Sequence, residues 1–470
     1  MQFEHRVIET TLNGFEIYKL LQKGDDYILL DSSKRDSAFS KFSIIGVNPF
    51  LTVKLEAGTL YEKTHGEKPG EFIKIEKQNE GSEALFNYLK ERIAKYRVEN
   101  DTGLPFVGGA IGYFSYDFGC ELESIKIEAQ ELMEIPDAYF VFYDGAVLVN
   151  HVTGKTHITA MGISADAAEC VEAVEKTLQA VKQEKPVGNS LVRQIFKSPF
   201  SMEDYKCAVF NMRQYIREGH IYIANMTHTF SSAFDDDALE VYSRLRTVNP
   251  APFSAYLPLE GFQVLCSSPE RFLEVRGPYV QTRPIKGTVP RGKTEEEDLA
   301  NAKALLNSEK DRSELLMIVD LERNDLSKVC IPGSVRVPEL FKLEKYATVY
   351  HLVATVIGEL GSDKTAVDCL RQTFPGGSIT GAPKIRAMEI IDELERNRRG
   401  LYTGAIGYFG FDGNADFNIV IRTILVKNNK AHIGVGGGIT WESDEQSEYD
   451  ETIAKAVALF KSLGATYEEN

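Results

Sequence analysis

The spacing of hydrophobic positions predicts a chain that mixes strands and helices. Short apolar runs bounded by Gly, Asn and Asp, such as 139–143, predict strands in the first part of the chain. After Ser201, apolar residues recur at steps of four and three up to Ile216, and Gly219 is placed to end this predicted helix. The elements do not alternate as regular βαβ units, which favours an α+β fold. Further strands are predicted at 27–30, 42–46, 253–258, 262–267, 272–276, 346–358, 405–410, 417–426 and 431–436, and further helices at 84–96, 165–181, 294–307, 310–320, 364–373, 383–396 and 445–463.

A polar stretch divides the chain into two predicted regions. Residues 183–200 contain two prolines and few apolar residues, which is typical of a connection. We expect an N-terminal region over 1–182 and a second region over 195–465 that carries the candidate chemistry.

One hexapeptide pattern occurs twice. Gly109–Phe114 reads Gly-Ala-Ile-Gly-Tyr-Phe, and Gly404–Phe409 repeats it. Glycines within a strand pattern predict the close approach of another backbone or of a ligand. Two core strands of packed sheets would satisfy the same pattern.

The charge balance limits the classes of partner. The 470 residues include 53 Lys and Arg against 69 Asp and Glu, a formal net charge of −16. Because a general nucleic-acid-binding surface requires a cationic footprint, we expect no nucleic-acid partner. An anionic ligand would require the field to be reversed locally by a metal ion or by clustered Lys and Arg.

Targeting and redox features favour the cytoplasm. No apolar run approaches the ~18 residues of a membrane helix, and the first residues lack the basic and apolar segments of a secretory signal. The six cysteines are far apart and form no CxxC pair, which predicts reduced thiols. We therefore expect a cytoplasmic protein without a membrane segment.

Two predicted helices carry carboxylates on one face. Glu448, Glu451 and Lys455 follow at i, i+3 and i+7, and Asp311 and Glu314 at i and i+3. Carboxylates from two helices are ligands that suit Mg²⁺, which prefers oxygen donors. An exposed Glu451–Lys455 ion pair, worth only ~0.3–0.5 kcal/mol, explains the C-terminal spacing equally well.

Lys286 lies between Ile285 and Gly287, where a partly enclosed amine would favour its neutral, nucleophilic form. An exposed loop lysine is the alternative. Two glycine-rich runs, 375–384 and 434–439, fail the phosphate-loop and dinucleotide patterns. Each can still present backbone N–H groups to a carboxylate, or form a simple turn.

Six motifs follow one another along the chain: Ser268–Arg271, Pro284–Thr288, Val319–Leu326, Pro375–Lys384, Arg398–Gly404 and Ile419–Thr423. In this order they resemble the chorismate-utilising enzymes. The resemblance is dense over about 195–460 and thin before it. Anthranilate synthase large subunits usually carry Ala at the position of Lys286, so the chain is most similar to the component I subunits of aminodeoxychorismate synthases. The fold implied is that of anthranilate synthase component I, with large packed sheets flanked by helices.

The resemblance implies an enzyme of the folate (p-aminobenzoate) route that aminates chorismate to 4-amino-4-deoxychorismate. It implies that Lys286 is the nucleophile and Glu270 the general acid, while His351 and Thr288 orient the ring and its leaving group. The implied Mg²⁺ ligands are Glu314 and Glu451, surrounded by Asp311 and Glu448. The residues implied to hold the substrate carboxylates are Tyr402, Arg422, Gly436, Gly438 and Lys455.

The resemblance also implies partners. Ammonia would come from a separate glutamine amidotransferase subunit, since the chain shows no such segment of its own. A possible tryptophan pocket is formed by Ser32, Asn249, Pro250 and Phe253, although Ser254 replaces the Met common in feedback-regulated relatives. Ile223 argues against water activation and thus against isochorismate synthesis, and Leu315 replaces a frequent His. Anthranilate synthase component I and a non-catalytic chorismate or tryptophan sensor stay open as alternatives.

Overall fold

The computed structural model describes residues 3–34, 39–66, 70–76, 81–180, 195–345 and 349–467. Within these ranges, no helix combines the length and apolar character needed to cross a membrane. The helices are α1 (Gly14–Leu21), α2 (Gly81–Lys95), α3 (Tyr116–Leu122), α4 (Ala167–Gln179), α5 (Met202–Arg217), α6 (Ala238–Val248), α7 (Glu295–Asn307), α8 (Glu309–Ser327), α9 (Ala366–Thr373), α10 (Lys384–Leu394) and α11 (Glu445–Ser462), with a 3₁₀ turn at Gly377–Ile379.

The first eight strands lie before the predicted connection: β1 (Glu4–Ile8), β2 (Leu29–Asp31), β3 (Phe42–Glu56), β4 (Thr59–Thr64), β5 (Ile73–Lys74), β6 (Gly109–Phe114), β7 (Ala138–Asn150) and β8 (Thr156–Ala160). The strands that follow are β9 (Ile195–Phe196), β10 (Ile223–Ala233), β11 (Phe253–Leu259), β12 (Phe262–Ser268), β13 (Arg271–Arg276), β14 (Tyr279–Thr282), β15 (Ile285–Pro290), β16 (Arg336–Lys345), β17 (Val349–Glu359), β18 (Gly381–Ala382), β19 (Ala405–Gly410), β20 (Ala415–Asn418), β21 (Thr423–Lys427), β22 (Lys430–Ile439) and β23 (Thr466–Tyr467).

Antiparallel pairing joins the two predicted regions. β6 pairs with β19, and β2 pairs with β11, so strands from before and after the predicted connection belong to one network of sheets. The parallel pair β9–β23 stands apart from it. Residues 183–194 of the predicted connection lie outside the described residues, and the position of the domain boundary stays a prediction.

The repeated hexapeptide lies at the contact between the two regions. β6 and β19 pair with each other, and Gly112 stands opposite Gly407. A Cβ on Gly112 would overlap the Tyr139 carbonyl oxygen, and one on Gly407 would overlap the Asp416 carbonyl oxygen. The predicted close approach of another backbone is therefore confirmed in both copies.

Two hydrophobic clusters cover the sheet network. In the larger one, the Phe114 ring lies 4.8 Å from the ring of Phe140 and 5.1 Å from that of Phe118, centroid to centroid. The second includes Phe15 of α1, Tyr242 of α6 and their neighbours on α4 and α11. Burying each such ring contributes about 1.5–3 kcal/mol, so helix packing fixes the sheets on which the site is built.

The sequence prediction of one strand over 417–426 is wrong. The chain forms β20 and β21 with a break between them, because Arg422 adopts a left-handed backbone conformation with φ of 54°. The Ile419 N–H donates to the Glu270 carbonyl at 3.1 Å, and the Ser267 N–H donates to the Arg422 carbonyl at 3.1 Å. The break thus docks on the turn that carries Glu270.

We expect Gly112→Ala to destabilise the protein strongly, because the new methyl group meets a backbone carbonyl that cannot rotate away. The cost in unfolding free energy is at least about 3 kcal/mol, measured as a lower midpoint in urea unfolding. Gly66→Ala is the matched control, since a Cβ on Gly66 meets nothing within 4 Å. Equal midpoints for the two variants would contradict the close approach.

Candidate active site

A β-bulge shapes the strand that carries Lys286. On β15, Lys286 pairs with Leu352 of β17 and Thr288 pairs with His351, so the register shifts by one residue at Gly287. Gly287 has φ of 74°, and a Cβ there would lie 2.8 Å from the Asp311 carboxyl carbon. Only glycine fits both the backbone angle and the space, and the bulge brings the strand against α8.

The Lys286 amine lies between α8, β22 and the turn after α9. Its Nζ donates to the Ser378 carbonyl at 3.1 Å. It also lies 3.3 Å from the point that a Cβ on Gly438 would occupy, and a Glu314 carboxylate oxygen lies 3.6 Å from the same point. The half-buried amine therefore faces the acidic helix α8, and its chemical role stays a prediction.

Glu270 is buried at the turn between β12 and β13. Burial raises the pKa of its carboxyl group, while a hydrogen bond from Ser378 and the Lys286 ammonium act in the opposite direction. The net shift is upward, which favours the protonated carboxyl that a general acid requires.

Thr288 and His351 form one hydrogen-bonded pair across β15 and β17. The Thr288 hydroxyl and the His351 Nδ1 lie 2.8 Å apart. Burial lowers the pKa of His351 to about 4, so its ring is neutral near pH 7. A neutral imidazole donates a hydrogen bond from one nitrogen and accepts one at the other, which suits an orienting contact.

Three carboxylates from α8 and α11 meet around lysines. Glu448 is buried and accepts from the Ser443 hydroxyl at 2.6 Å and from Lys310 Nζ at 3.1 Å. Lys310 also lies 3.9 Å from Glu314. Glu451 is half-exposed; burial acts to raise its pKa, but the Lys455 ammonium at 2.6 Å, together with Lys310 and Lys286, lowers it on balance. The predicted Glu451–Lys455 pair exists, but it borders a buried acidic cluster.

The donor set fits a divalent cation. Among the residues described, no three His, Cys, Asp or Glu side chains are gathered into a ready metal-binding group. Glu314 nevertheless keeps one buried carboxylate oxygen without a hydrogen-bond partner, and burial raises its pKa to about 7. An orphaned buried oxygen beside further carboxylates is the chemistry that a hard cation completes.

The predicted carboxylate-binding residues converge on β22. Lys455 Nζ donates to the Gly436 carbonyl at 2.7 Å, and the Arg422 guanidinium donates to the Lys455 carbonyl at 2.6 Å. The Tyr402 ring occupies the space where Gly434 lacks a Cβ. Desolvation lowers the pKa of Arg422, yet the group stays charged at neutral pH. The glycine-rich strand β22, the Arg422 guanidinium and the Lys455 ammonium together offer hydrogen-bond donors and positive charge that suit a carboxylate.

Apart from the candidate active site, a second site is formed by a cavity of about 610 Å³ between the two predicted regions. We call it the second cavity. Ser32 and Phe253 from the predicted tryptophan pocket line it. Asn249 and Pro250 are not among its described lining residues, and the Asn249 side chain donates to the Ser267 carbonyl at 3.4 Å. The cavity is thus formed partly by the residues that the sequence suggested.

Sequence reasoning missed two residues of this site. Lys310 separates Glu314 from Glu448, and its i, i+4 spacing from Glu314 was the available signal. Ser378 contacts both Lys286 and Glu270. Ser378 lies in the glycine-rich run 375–384, but the run does not reveal these contacts, because Lys286 is 92 positions away along the chain and Glu270 is farther still.

We expect the buried Glu314 carboxyl to make stability depend on pH in protein stripped of metal by a chelator. Its pKa rises from 4.5 in the unfolded chain to about 7 in the fold. The folded state therefore binds the proton more tightly, and stability falls by up to about 3 kcal/mol as pH rises from about 4.5 to about 7. Thermal unfolding midpoints across this interval measure the slope.

Glu314→Gln should flatten that slope, because the variant has no proton to lose. Glu309→Gln, an exposed position on the same helix, serves as the control and should keep the wild-type slope. A slope that persists unchanged in Glu314→Gln would show that another group titrates.

Comparison with known proteins agrees with this geometry. A family model described as chorismate binding enzyme matches residues 29–461. The chain is 38% identical over 472 residues to aminodeoxychorismate synthase component 1 of Bacillus subtilis (strain 168), covering 98% of this chain and 96% of that protein. It is 35% identical over 486 residues to anthranilate synthase component 1 of Acetivibrio thermocellus, covering 98% and 96%. The crystal structure of anthranilate synthase component I from Streptococcus pneumoniae TIGR4 matches with a TM-score of 0.79 and 31% identity over 95% of this chain and 97% of that chain, which confirms the α+β fold. The chain belongs to the chorismate binding enzyme family.

Proposed function

We propose that the protein is the chorismate-aminating subunit, component I, of an aminodeoxychorismate synthase. The observation that carries the proposal is the position of the Lys286 amine, which faces Glu314 and the bare strand at Gly438 beside a buried acid, Glu270. The similarity to the Bacillus subtilis aminodeoxychorismate synthase component 1, over nearly the full length of both chains, supports it.

The proposed reaction has two displacements at the chorismate ring. In the first, the Lys286 amine forms a bond to C2 while the C4–O bond breaks. Glu270 donates its proton to the departing hydroxyl group, which leaves as water. In the second, ammonia forms a bond to C4, the C2–N bond breaks and Lys286 is released as the free amine; the incoming nitrogen loses one proton, which restores the Glu270 carboxyl. Atoms balance, because chorismate and ammonia give the aminated ring and water.

The buried position of Glu270 matches this assignment. A carboxyl group whose pKa is raised by burial holds its proton nearer to neutral pH than an exposed one. The neutral His351, bonded to Thr288, is suited to orient the leaving hydroxyl without adding charge. Arg422 and Lys455 would bind the substrate carboxylates by charge-assisted hydrogen bonds.

Magnesium is the proposed cofactor, held by Glu314 and Glu451, with Glu448 and Asp311 around it. When bound, Mg²⁺ neutralises the charge of a substrate carboxylate and serves as a template for binding. The orphaned oxygen of Glu314 supports the assignment. Lys310 would leave the space between Glu314 and Glu448 or keep Glu448 in place as the ion enters.

Ammonia is the proposed amine donor, delivered by a separate glutamine amidotransferase subunit. Free ammonia is scarce at neutral pH because its conjugate acid dominates. The numbered component in the name of the Bacillus subtilis relative supports a two-part enzyme.

Anthranilate synthase component I is the second candidate, favoured by the similarity to that enzyme from Acetivibrio thermocellus. It differs by eliminating pyruvate after amination. The Lys286 amine in the site favours the first candidate, since a covalent intermediate at C2 needs a nucleophile there. A non-catalytic chorismate or tryptophan sensor would not need a buried acid at Glu270.

The second cavity is proposed to hold an amino acid such as tryptophan. Its volume of about 610 Å³ falls within the usual range for small-molecule sites. It is lined by Arg271 and Asp416, which form an ion pair with each other at 2.8 Å, and by Phe253 and Phe39, whose rings pack on the Arg271 guanidinium. The aromatic rings and the polar rim suit an amino acid with an aromatic side chain.

We expect Lys286→Ala to abolish the covalent adduct and to lower kcat with ammonium by at least about 10²-fold, because the nucleophile is lost. Mass spectrometry of the intact chain mixed with chorismate and Mg²⁺ detects the adduct. Lys293→Ala, at an exposed position seven residues further along the chain, is the control and should retain both the covalent adduct and the wild-type kcat.

The product of the wild-type chain separates the candidates. With chorismate, Mg²⁺ and ammonium it should form a product without anthranilate fluorescence. Direct formation of fluorescent anthranilate would establish the second candidate, and binding of chorismate without turnover would establish a sensor. An adduct that persists in Lys286→Ala would remove Lys286 from the mechanism.

We expect Glu451→Gln to weaken Mg²⁺ affinity at least about tenfold, because the metal loses a charged ligand. Calorimetric titration with Mg²⁺ and the Mg²⁺ concentration for half-maximal activity both measure the change. Asp450→Asn, an exposed neighbour on α11, should leave both values as in the wild type. Unchanged affinity in Glu451→Gln would refute the ligand assignment.

A further inference from the structure

The turn at 375–380 contacts both the candidate nucleophile and the candidate acid. Its Ser378 offers a carbonyl oxygen to Lys286 Nζ at 3.1 Å and a hydroxyl group to the Glu270 carboxyl. Within the turn, the Thr380 hydroxyl donates to the Gly376 carbonyl at 2.9 Å. Small shifts of this turn would move two reacting groups at once.

A buried lysine holds the turn from one side. Lys384, in the first turn of α10, is 8% exposed, and its Nζ donates to the carbonyls of Thr373 at 2.9 Å and Pro375 at 2.8 Å. Its charge is balanced by Asp325 of α8, at 2.5 Å. All three protons of the ammonium are therefore used, two of them on the entry to the turn.

A buried arginine holds the other side. Arg399, only 2% exposed, donates to the carbonyls of Ile379 at 2.8 Å and Asn225 at 2.6 Å. Glu395 balances its charge at 2.7 Å and also accepts from the Thr227 N–H at 2.8 Å. The turn is thus fastened at both ends by cations whose partners lie on separate elements.

We propose that Lys384 and Arg399 are positioning residues, which clamp the 375–380 turn so that Ser378 places the Lys286 amine and the Glu270 carboxyl for reaction. Neither cation touches a reacting group. Burying two ion pairs costs solvation energy, which their hydrogen bonds to turn carbonyls must offset. The ammonium of Lys384 and the guanidinium of Arg399 each bond to more than one backbone carbonyl at once, and this makes the turn rigid.

The chain offers a matched control for Lys384. Lys328 binds the other oxygen of the same Asp325 carboxylate at 2.9 Å, but it is 40% exposed and is not bonded to the turn. Lys384→Met and Lys328→Met each remove one ammonium from Asp325. Only Lys384→Met also frees the turn carbonyls.

The kinetic test rests on the proposed function. We expect Lys384→Met to lower kcat with ammonium by about 10²-fold, as for a misplacement of about 1 Å, while KM for chorismate changes less than about twofold. Lys328→Met should keep both values. Thr380→Val loosens the turn without breaking an ion pair and should lower kcat by about tenfold. This second variant keeps the proposal testable if Lys384→Met does not fold.

A labelling test is independent of the reaction. Trace acetylation followed by peptide mass spectrometry compares Lys286 with the exposed Lys293. Lys286 should react severalfold faster in Lys384→Met and Thr380→Val, because the amine loses its fixed carbonyl acceptor, and at the wild-type rate in Lys328→Met. If the wild type makes anthranilate, the proposed function fails while this pattern still supports the clamp. If folded Lys384→Met or Thr380→Val shows the wild-type rate of Lys286 acetylation and the wild-type kcat, the proposed clamp is wrong.

Discussion

The candidate active site depends on a strand without side chains. Over Gly436–Gly438, β22 leaves open the space in which Lys455, Glu448 and Lys286 approach its backbone. A Cβ on Gly436 would lie 2.6 Å from the Met226 carbonyl, and one on Gly438 would lie 3.3 Å from the Lys286 amine. A side chain at Gly436 would therefore clash with β10, and one at Gly438 would crowd the amine.

Charge is arranged locally against the net charge of the chain. The protein carries a formal charge of −16, yet Lys286, Lys310 and Lys455 lie among the carboxylates of α8 and α11. The lysines offset part of the negative charge of the acids, and burial holds Glu314 and Glu270 closer to their neutral forms. The site is therefore less negative than its carboxylates alone would make it, as the proposed diacid substrate requires.

Periodicity predicted much of the fold, and motif order predicted the family. Helices such as α11 follow from apolar spacing, and the two glycine-rich strands follow from their repeat. The break at Arg422 could not be predicted, because a positive φ at a non-glycine residue arises from the docking of distant backbone groups. The run 375–384 was recognised as a motif, but the contacts of Ser378 and Lys384 could not be predicted, since their partners on β15 and α8 are brought together only in the folded chain.

A crystal structure with Mg²⁺ and an unreactive chorismate analogue tests most directly whether Lys286 is the nucleophile. The amine nitrogen should lie about 3–3.5 Å from ring carbon C2 of the analogue, the distance of a reactive approach. An amine directed into bulk solvent, or one that faces a different part of the ring, would contradict the proposed chemistry.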